Sequence, residues 1–147
     1  MNGFTSKILS ELLGNMPMVI VKADPYFGSF IRFDAVSNDG SAILIRIYLC
    51  DWCLVENSKV RATSSSDIEN WSSIIGSLDG CKLLDFLVHA TELLELVFDS
   101  NRSMLLRANL EEYGNDDDLL RIIYDGSLVG YSPASGFAKE ALPKSIN

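Results

Sequence analysis

Hydrophobic and polar residues follow two different periods along this chain. In residues 5–13 the apolar side chains recur at the spacing of one helical face, which predicts a short helix. From residue 30 the period changes to two, and residues 30–35 and 43–49 read as strands. Between them, residues 37–41 carry Asn, Asp and Gly, which tolerate the backbone of a tight turn. We therefore expect a helix, an extended segment over residues 18–22, and a hairpin.

The middle of the chain combines one weak strand signal with one strong helix signal. Residues 54–60 predict a third strand, although Asn57 and Ser58 weaken it. Ser66 and Glu69 have the spacing of a capping box, so we expect a helix over residues 67–78. Its core-facing stripe would consist of Ile68, Trp71, Ile75 and Leu78.

Strand patterns then return for the rest of the chain. The predicted strands cover residues 82–88, 93–98, 104–108, 119–124 and 128–131. A polar loop over residues 111–118 separates the third and fourth of these, and Asp125-Gly126 predicts a tight turn. We expect one helical turn from Phe137 onward.

This order of elements predicts a single α+β domain over residues 1–147. Its antiparallel β-sheet would carry a few short helices packed on it. Residues 42–49 resemble residues 92–99, so the strands form two β-meanders if the chain is duplicated. Shared strand patterning alone also produces such a match. An internal half boundary would then fall near residues 63–66.

Charge is distributed unevenly between the two halves. Residues 1–66 hold six acidic and six basic residues, whereas residues 67–147 hold fourteen acidic and six basic ones. The second half therefore carries the whole net charge of −8. Acidity on a compact domain favours a basic partner, although it also serves solubility alone.

The same charge disfavours two classes of ligand. Nucleic acid and anionic membrane surfaces both need clustered Lys and Arg, which an isoelectric point near 4.5 argues against. The first residues lack the basic segment of a signal peptide, and no apolar run is long enough to span a bilayer. With three cysteines in the chain, an odd number, we expect a cytoplasmic protein without a disulfide framework.

The cysteines and the single histidine are the only candidates for catalysis. Cys50 and Cys53 have C-x-x-C spacing, but they follow a strand rather than open a helix, where a redox thiolate would be stabilised. A zinc site would have to add Cys81 and His89 from other segments. We interpret the cysteines as structural and His89 as a partly exposed residue at a strand end. We expect no catalytic residue, no metal and no cofactor.

The acidic loop is the best candidate for binding. Asp116, Asp117 and Asp118 lack the alternating oxygens, the glycine and the final glutamate of a calcium-binding EF-hand. Carboxylates beside an aromatic ring are typical of protein interfaces. A solvated loop is the simpler interpretation. The predicted partner-binding residues are Glu111, Glu112, Tyr113, Asp116, Asp117, Asp118, Asp125 and Tyr131.

From Trp71 onward, the chain resembles small immunity proteins of bacterial toxin–immunity systems, including contact-dependent growth inhibition and polymorphic toxins. The resemblance rests on a Trp-bearing helix, Leu78-Asp79-Gly80, the pattern Leu94-x-Leu96-x-Phe98-Asp99, a further strand and an acidic-aromatic loop. It covers about half the chain. It implies a cytoplasmic, non-enzymatic inhibitor that binds a cognate toxin domain, often a basic nuclease, and blocks its active site or substrate surface.

Two other functions compete with this one. Secretion chaperones for effector proteins are also small, acidic and cytoplasmic, but they should expose an apolar patch for an unfolded segment. An immunity protein should instead present a polar, acidic face. A small enzyme has support only from Cys50 and Cys53.

Overall fold

The computed structural model describes residues 3–25 and 30–141, with all of their side chains except those of residues 3–6, 68 and 70. Within these residues there are two helices, α1 and α2, and eleven strands, β1–β11. Their bounds are α1 Gly3–Leu13, β1 Met18–Pro25, β2 Ile31–Val36, β3 Ala42–Ile47, β4 Cys50–Glu56, β5 Lys59–Thr63, α2 Ile68–Gly76, β6 Lys82–Ala90, β7 Leu93–Phe98, β8 Arg102–Ala108, β9 Leu120–Tyr124, β10 Ser127–Ser132 and β11 Gly136–Ala141. The prediction of an α+β domain built mostly of antiparallel sheet is confirmed, but the described residues contain fewer helices than the sequence implied.

All the described strands form one sheet, in the order β11-β10-β9-β3-β2-β1-β6-β7-β8-β4-β5. Every pair of neighbours is antiparallel. Strands β1–β3, β6–β8 and β9–β11 are three meanders, where an internal duplication would have given two, and β4 and β5 form a hairpin. The predicted half boundary near residues 63–66 falls between β5 and α2, but strands from both halves belong to the same sheet.

Several predicted elements have different limits in the structure. Residues 54–60 are two strands, because Asn57 and Ser58 adopt φ of 51° and 66° and turn the chain back. The predicted capping box does not form: Asp67 is the N-cap residue of α2, and the Ser66 hydroxyl bonds the Thr63 hydroxyl. The predicted helical turn from Phe137 is wrong. That segment is strand β11, paired with β10.

Alternation of apolar and polar residues gives the sheet one buried face. In β3, for example, Ile43, Ile45 and Ile47 are buried, while the residues between them are partly exposed. Such a face must be covered, because leaving it in water would forfeit about 25 cal/mol for each Å² of apolar surface. The sheet covers it largely by curving over itself.

Aromatic contacts across the interior show this curvature. Strands β6 and β11 are six positions apart in the sheet, which in a flat sheet would be about 29 Å. Yet the ring centroids of Phe86 on β6 and Phe137 on β11 lie 6.2 Å apart. Phe33 on β2 and Phe98 on β7 are similarly close, at 6.0 Å. The buried face therefore encloses a single core.

The two helices complete the core by packing on strands that the sheet order separates. Helix α1 contacts β11 and β6, and helix α2 contacts β5 and β1. Because β5 and β11 are the two edges of the sheet, each helix packs beside one edge. As predicted, Trp71, Ile75 and Leu78 face the core. The side chain of Ile68 lies outside the described residues. Neither helix is long and apolar enough to cross a membrane.

Replacement of Trp71 by alanine tests the contribution of α2 to the core. Trp71 is 2% exposed, and its ring meets that of Trp52 edge-on at 5.0 Å. We expect Trp71→Ala to lower the free energy of unfolding by about 3–5 kcal/mol, measured by urea denaturation. Val60→Ala is the control, because Val60 is 62% exposed on β5. Equal losses for the two variants would contradict this packing.

Candidate functional site

The acidic loop, residues 109–119, connects β8 to β9 and is held in place by backbone hydrogen bonds. The Tyr113 amide donates to the Asn109 carbonyl, and the Leu119 amide donates to the Tyr131 carbonyl. The Asn115 carbonyl accepts from the Ala134 amide in the β10–β11 connection. The loop is thus closed by a turn at its start and attached to its neighbours in its middle and at its end, which limits the conformations available to its side chains.

Three of the predicted carboxylates lie on the outside of this loop. Glu111, Glu112 and Asp116 are exposed, whereas Tyr113 is half-buried beside them. Burial and the carboxylates of Glu112 and Asp51 raise the pKa of Tyr113. Negative charge therefore surrounds an aromatic ring here, as the sequence predicted.

Asp51 belongs to this group, although sequence reasoning did not select it. It is exposed at the start of β4, and its carboxylate accepts a hydrogen bond of 3.4 Å from the side-chain amide of Asn109. The sequence places Asp51 inside the C-x-x-C segment, 60 residues before Glu111. Only the pairing of β4 with β8 brings the two segments together. We call Asp51, Glu111, Glu112, Tyr113 and Asp116 the acidic surface.

The carboxylates of Asp117 and Asp118 form hydrogen bonds within the protein. One oxygen of Asp117 accepts the Gly114 amide at 2.9 Å, which fixes the tip of the loop. Asp118 accepts from Arg121 at 2.9 Å and forms an ion pair with it. This contact raises the pKa of Arg121. Both residues were predicted to contact a partner. In the structure, the Asp117 carboxylate bonds the backbone of the loop, and the Asp118 carboxylate bonds Arg121 on β9.

Asp125 lies away from the acidic surface. It occupies the β9–β10 turn with φ of 49°, at the opposite end of β9 from Asp118. The five residues of β9 separate the two by about 17 Å. Asp125 instead lines a surface depression with Glu11, Asp39 and Lys139. The structure does not bring it together with the other predicted acids.

Tyr131 is part of the core, so its prediction as a contact residue needs correction. It is 1% exposed, and its ring meets that of Phe137 at 4.9 Å. The hydroxyl donates to the Thr91 carbonyl at 2.9 Å, and burial raises the pKa of this group. The last four residues of β10, including Tyr131, are all buried, and the sequence pattern did not reveal this.

The thiols of Cys50 and Cys53 lack the environment that lowers the pKa of a redox thiol. Cys50 is buried while Cys53 is only partly so, because residues three apart on a strand face opposite sides of the sheet. Burial raises the pKa of Cys50 to about 12 and also raises that of Cys53. Both thiols are therefore protonated at neutral pH, the unreactive form.

His89 lies near the end of β6, partly exposed as predicted. Its Nε2 is 2.6 Å from the Glu95 carboxylate on β7, and its side chain is 43% exposed. Among the described residues, no three His, Cys, Asp or Glu side chains come together in a group that could hold a metal ion.

No family model matches this chain, and no curated protein or solved structure shows significant similarity to it. The fold and the arrangement of its charges are therefore the basis for any proposal about function.

A glycine in β10 tests how tightly Asp118 is held. A Cβ atom at Gly130 would lie 2.6 Å from an Asp118 oxygen, so Gly130→Ala must displace that side chain from Arg121. We expect the variant to lose up to about 1 kcal/mol of unfolding free energy, because the displaced carboxylate gives up a partly exposed ion pair. The loss should shrink when Gly130→Ala is made in an Asp118→Ala background, measured as a double-mutant cycle by urea denaturation.

The control for this cycle is Gly76→Ala in α2. No atom lies within 4 Å of a Cβ placed at Gly76, and alanine favours helix, so this variant should be neutral or slightly stabilised. The same loss at Gly130 with and without Asp118 would show that the carboxylate is not the obstacle.

Proposed function

We propose that this protein is a bacterial immunity protein that binds and neutralises a cognate toxin domain. The toxin domain is a basic nuclease, and the immunity protein acts in the cytoplasm by occluding its active site or substrate surface. In this proposal the protein is an inhibitor and not an enzyme. The partner is a protein, with neither nucleic acid nor a membrane as a direct ligand.

The acidic surface is the observation that supports this function. Glu111, Glu112 and Asp116 are exposed on a loop whose backbone is already fixed by hydrogen bonds. A fixed loop loses little conformational entropy when it binds, which favours affinity. Tyr113 adds a ring that can be buried against a partner, and aromatic residues are frequent among the residues that dominate interface energies.

Electrostatics would also accelerate the encounter. A protein of net charge −8 attracts a basic domain over distances near the Debye length, which is about 8 Å at physiological salt. The carboxylates would occupy positions on the toxin that otherwise hold the phosphates of its substrate. Inhibition then needs no chemical step, because the bound loop excludes the nucleic acid.

Charge reversal within the acidic surface tests this proposal. We expect Glu111→Lys with Asp116→Lys to slow association with the toxin by about tenfold or more at low salt. The control is Glu69→Lys with Glu140→Lys, which changes the net charge equally at exposed positions elsewhere. The rates are measured by surface plasmon resonance on a toxin domain captured from the producing organism.

The captured domain must also satisfy a functional criterion. Its nuclease activity should be abolished by one equivalent of the wild-type protein, and the control variant should inhibit equally well. If both double variants associate at the wild-type rate, the acidic surface does not take part. If the captured domain is acidic or lacks nuclease activity, the proposed partner is wrong.

A second candidate, a secretion chaperone, is favoured by one observation. The outer face of the sheet exposes four large apolar side chains on the adjacent strands β1 and β6. They are Val19, Val21, Leu84 and Leu87, with exposures of 38%, 58%, 43% and 38%. This apolar patch is interrupted by Lys82, which pairs with Val19, but exposed apolar surface is what a chaperone needs in order to hold an unfolded effector segment.

Substitutions in this patch separate the two functions. We expect Val21→Ser with Leu84→Ser to leave toxin association unchanged, because the patch lies outside the acidic surface. The control is Val60→Ser, which removes an exposed apolar side chain on β5, away from both surfaces. If the patch variant instead loses an unfolded effector segment that both the wild type and the control retain in pull-downs, the chaperone function is correct.

A further inference from the structure

A depression of about 410 Å³ lies on the outer face of the sheet, beside the acidic surface. It is formed by β4, β5, β7 and β8 together with the first residues after β5. Its lining includes Asp51, Cys53, Ser64, Leu93, Leu105 and Arg107. We call this depression the outer pocket. Because Asp51 also belongs to the acidic surface, the two regions are continuous.

The centre of the outer pocket is apolar. Leu105 lies between the buried Met104 and Leu106, so it faces the outside of the sheet, where it is partly exposed. Leu93 and Cys53 are also partly exposed at outward positions of their strands, and Cys53 pairs directly with Leu105. The outward positions of an antiparallel sheet are commonly polar, and a protonated thiol behaves as a small apolar group. These three residues therefore place an apolar centre on the face that does not enclose the core.

Hydrogen bonds fix the wall of the outer pocket that follows β5. The Ser64 amide donates to the Trp52 carbonyl at 3.0 Å, and the Trp52 amide donates to the Ser64 hydroxyl, also at 3.0 Å. The hydroxyls of Thr63 and Ser65 bond each other at 3.1 Å. The shape of the pocket is thus set before any partner arrives, which lowers the entropy lost on binding.

Charged residues form one side of the rim. Asp51 and Arg107 pair directly across β4 and β8, and both are exposed. An apolar centre inside a polar rim is the usual anatomy of a protein interface, in which the central pockets hold the residues that dominate the binding energy. Within the acidic surface only Tyr113 offers an apolar group, and it is already half-buried. The outer pocket supplies the apolar centre that the acidic surface lacks.

We infer that the outer pocket anchors the toxin domain by taking an apolar side chain that the toxin carries beside its basic residues. The inference rests on the proposed function, because its partner is the same basic domain. With that side chain in the pocket, the adjacent basic residues of the toxin would meet Asp51 and the rest of the acidic surface. A second copy of this chain fits less well. Two copies related by a two-fold axis at the pocket would bring their acidic surfaces together, and like charges across an interface are costly.

The rate of dissociation distinguishes the outer pocket from the acidic surface. Charges on a rim mainly change the association rate and its salt dependence, whereas the loss of a buried contact mainly changes the dissociation rate. We expect Leu105→Ala to raise the dissociation rate of the toxin complex about tenfold or more, at low and at moderate salt alike, with little change in the association rate. The rates are measured by surface plasmon resonance on the captured nuclease domain.

The matched control is Leu44→Ala, the same substitution at another partly exposed leucine. Leu44 lies on the outer face of β3, five positions from β8 in the sheet, and its variant should dissociate as the wild type does. Alkylation of Cys53 by iodoacetamide in mildly alkaline buffer gives a second measurement that needs no substitution. Cys53 is partly exposed while Cys50 and Cys81 are buried, so a toxin seated in the outer pocket should protect Cys53, as read by mass spectrometry of its peptide.

The outcomes separate the inference from the proposed function. If the wild type neither binds nor inhibits a basic nuclease domain, the proposed function fails and the inference fails with it. If the wild type inhibits such a domain, but Leu105→Ala dissociates at the wild-type rate or Cys53 is alkylated equally fast in the complex, the function stands and the anchor is wrong. Leu93→Ala replaces Leu105→Ala if the latter does not fold. Self-association of the free protein that the pocket variant abolishes would identify a second copy as the occupant and overturn the inference.

Discussion

The architecture depends on closing the apolar face of one long sheet over itself. Phe86 and Phe137 touch although their strands are six positions apart, so β6 and β11 must approach each other across the core. Tyr131 reinforces this closure, because its hydroxyl bonds the Thr91 carbonyl in the β6–β7 turn. The hydrophobic effect supplies the driving force, and the right-handed twist of antiparallel strands provides a direction in which a long sheet can curve.

Closure also explains where the helices lie. Each helix packs on one edge strand and on one strand from the middle of the sheet, α1 on β11 and β6 and α2 on β5 and β1. Unpaired edge strands invite aggregation, and cover by a helix is one way in which proteins protect them. The contact between Trp52 and Trp71 shows how large residues fill the space between a helix and the curved sheet.

The acidic surface lies on the outside of this framework. Its loop is fixed to β10 and to the β10–β11 connection by backbone hydrogen bonds. Asp118 belongs to this loop, and the glycine at position 130 leaves the room that its carboxylate needs. The position of the charged side chains therefore depends on how the strands around the loop are paired.

Much of the secondary structure could be predicted from local patterns in the sequence. The alternation in residues 93–98 predicts β7 with its bounds, and the spacing of Trp71 and Ile75 predicts the buried side of α2. Both patterns depend on residues close together in the chain. The hairpin at Asn57 and Ser58, the burial of Tyr131 and the place of Asp51 beside the acidic loop did not follow. Each of these depends on turn conformation, strand register or sheet order, which bring distant segments together, and only the tertiary structure decides them.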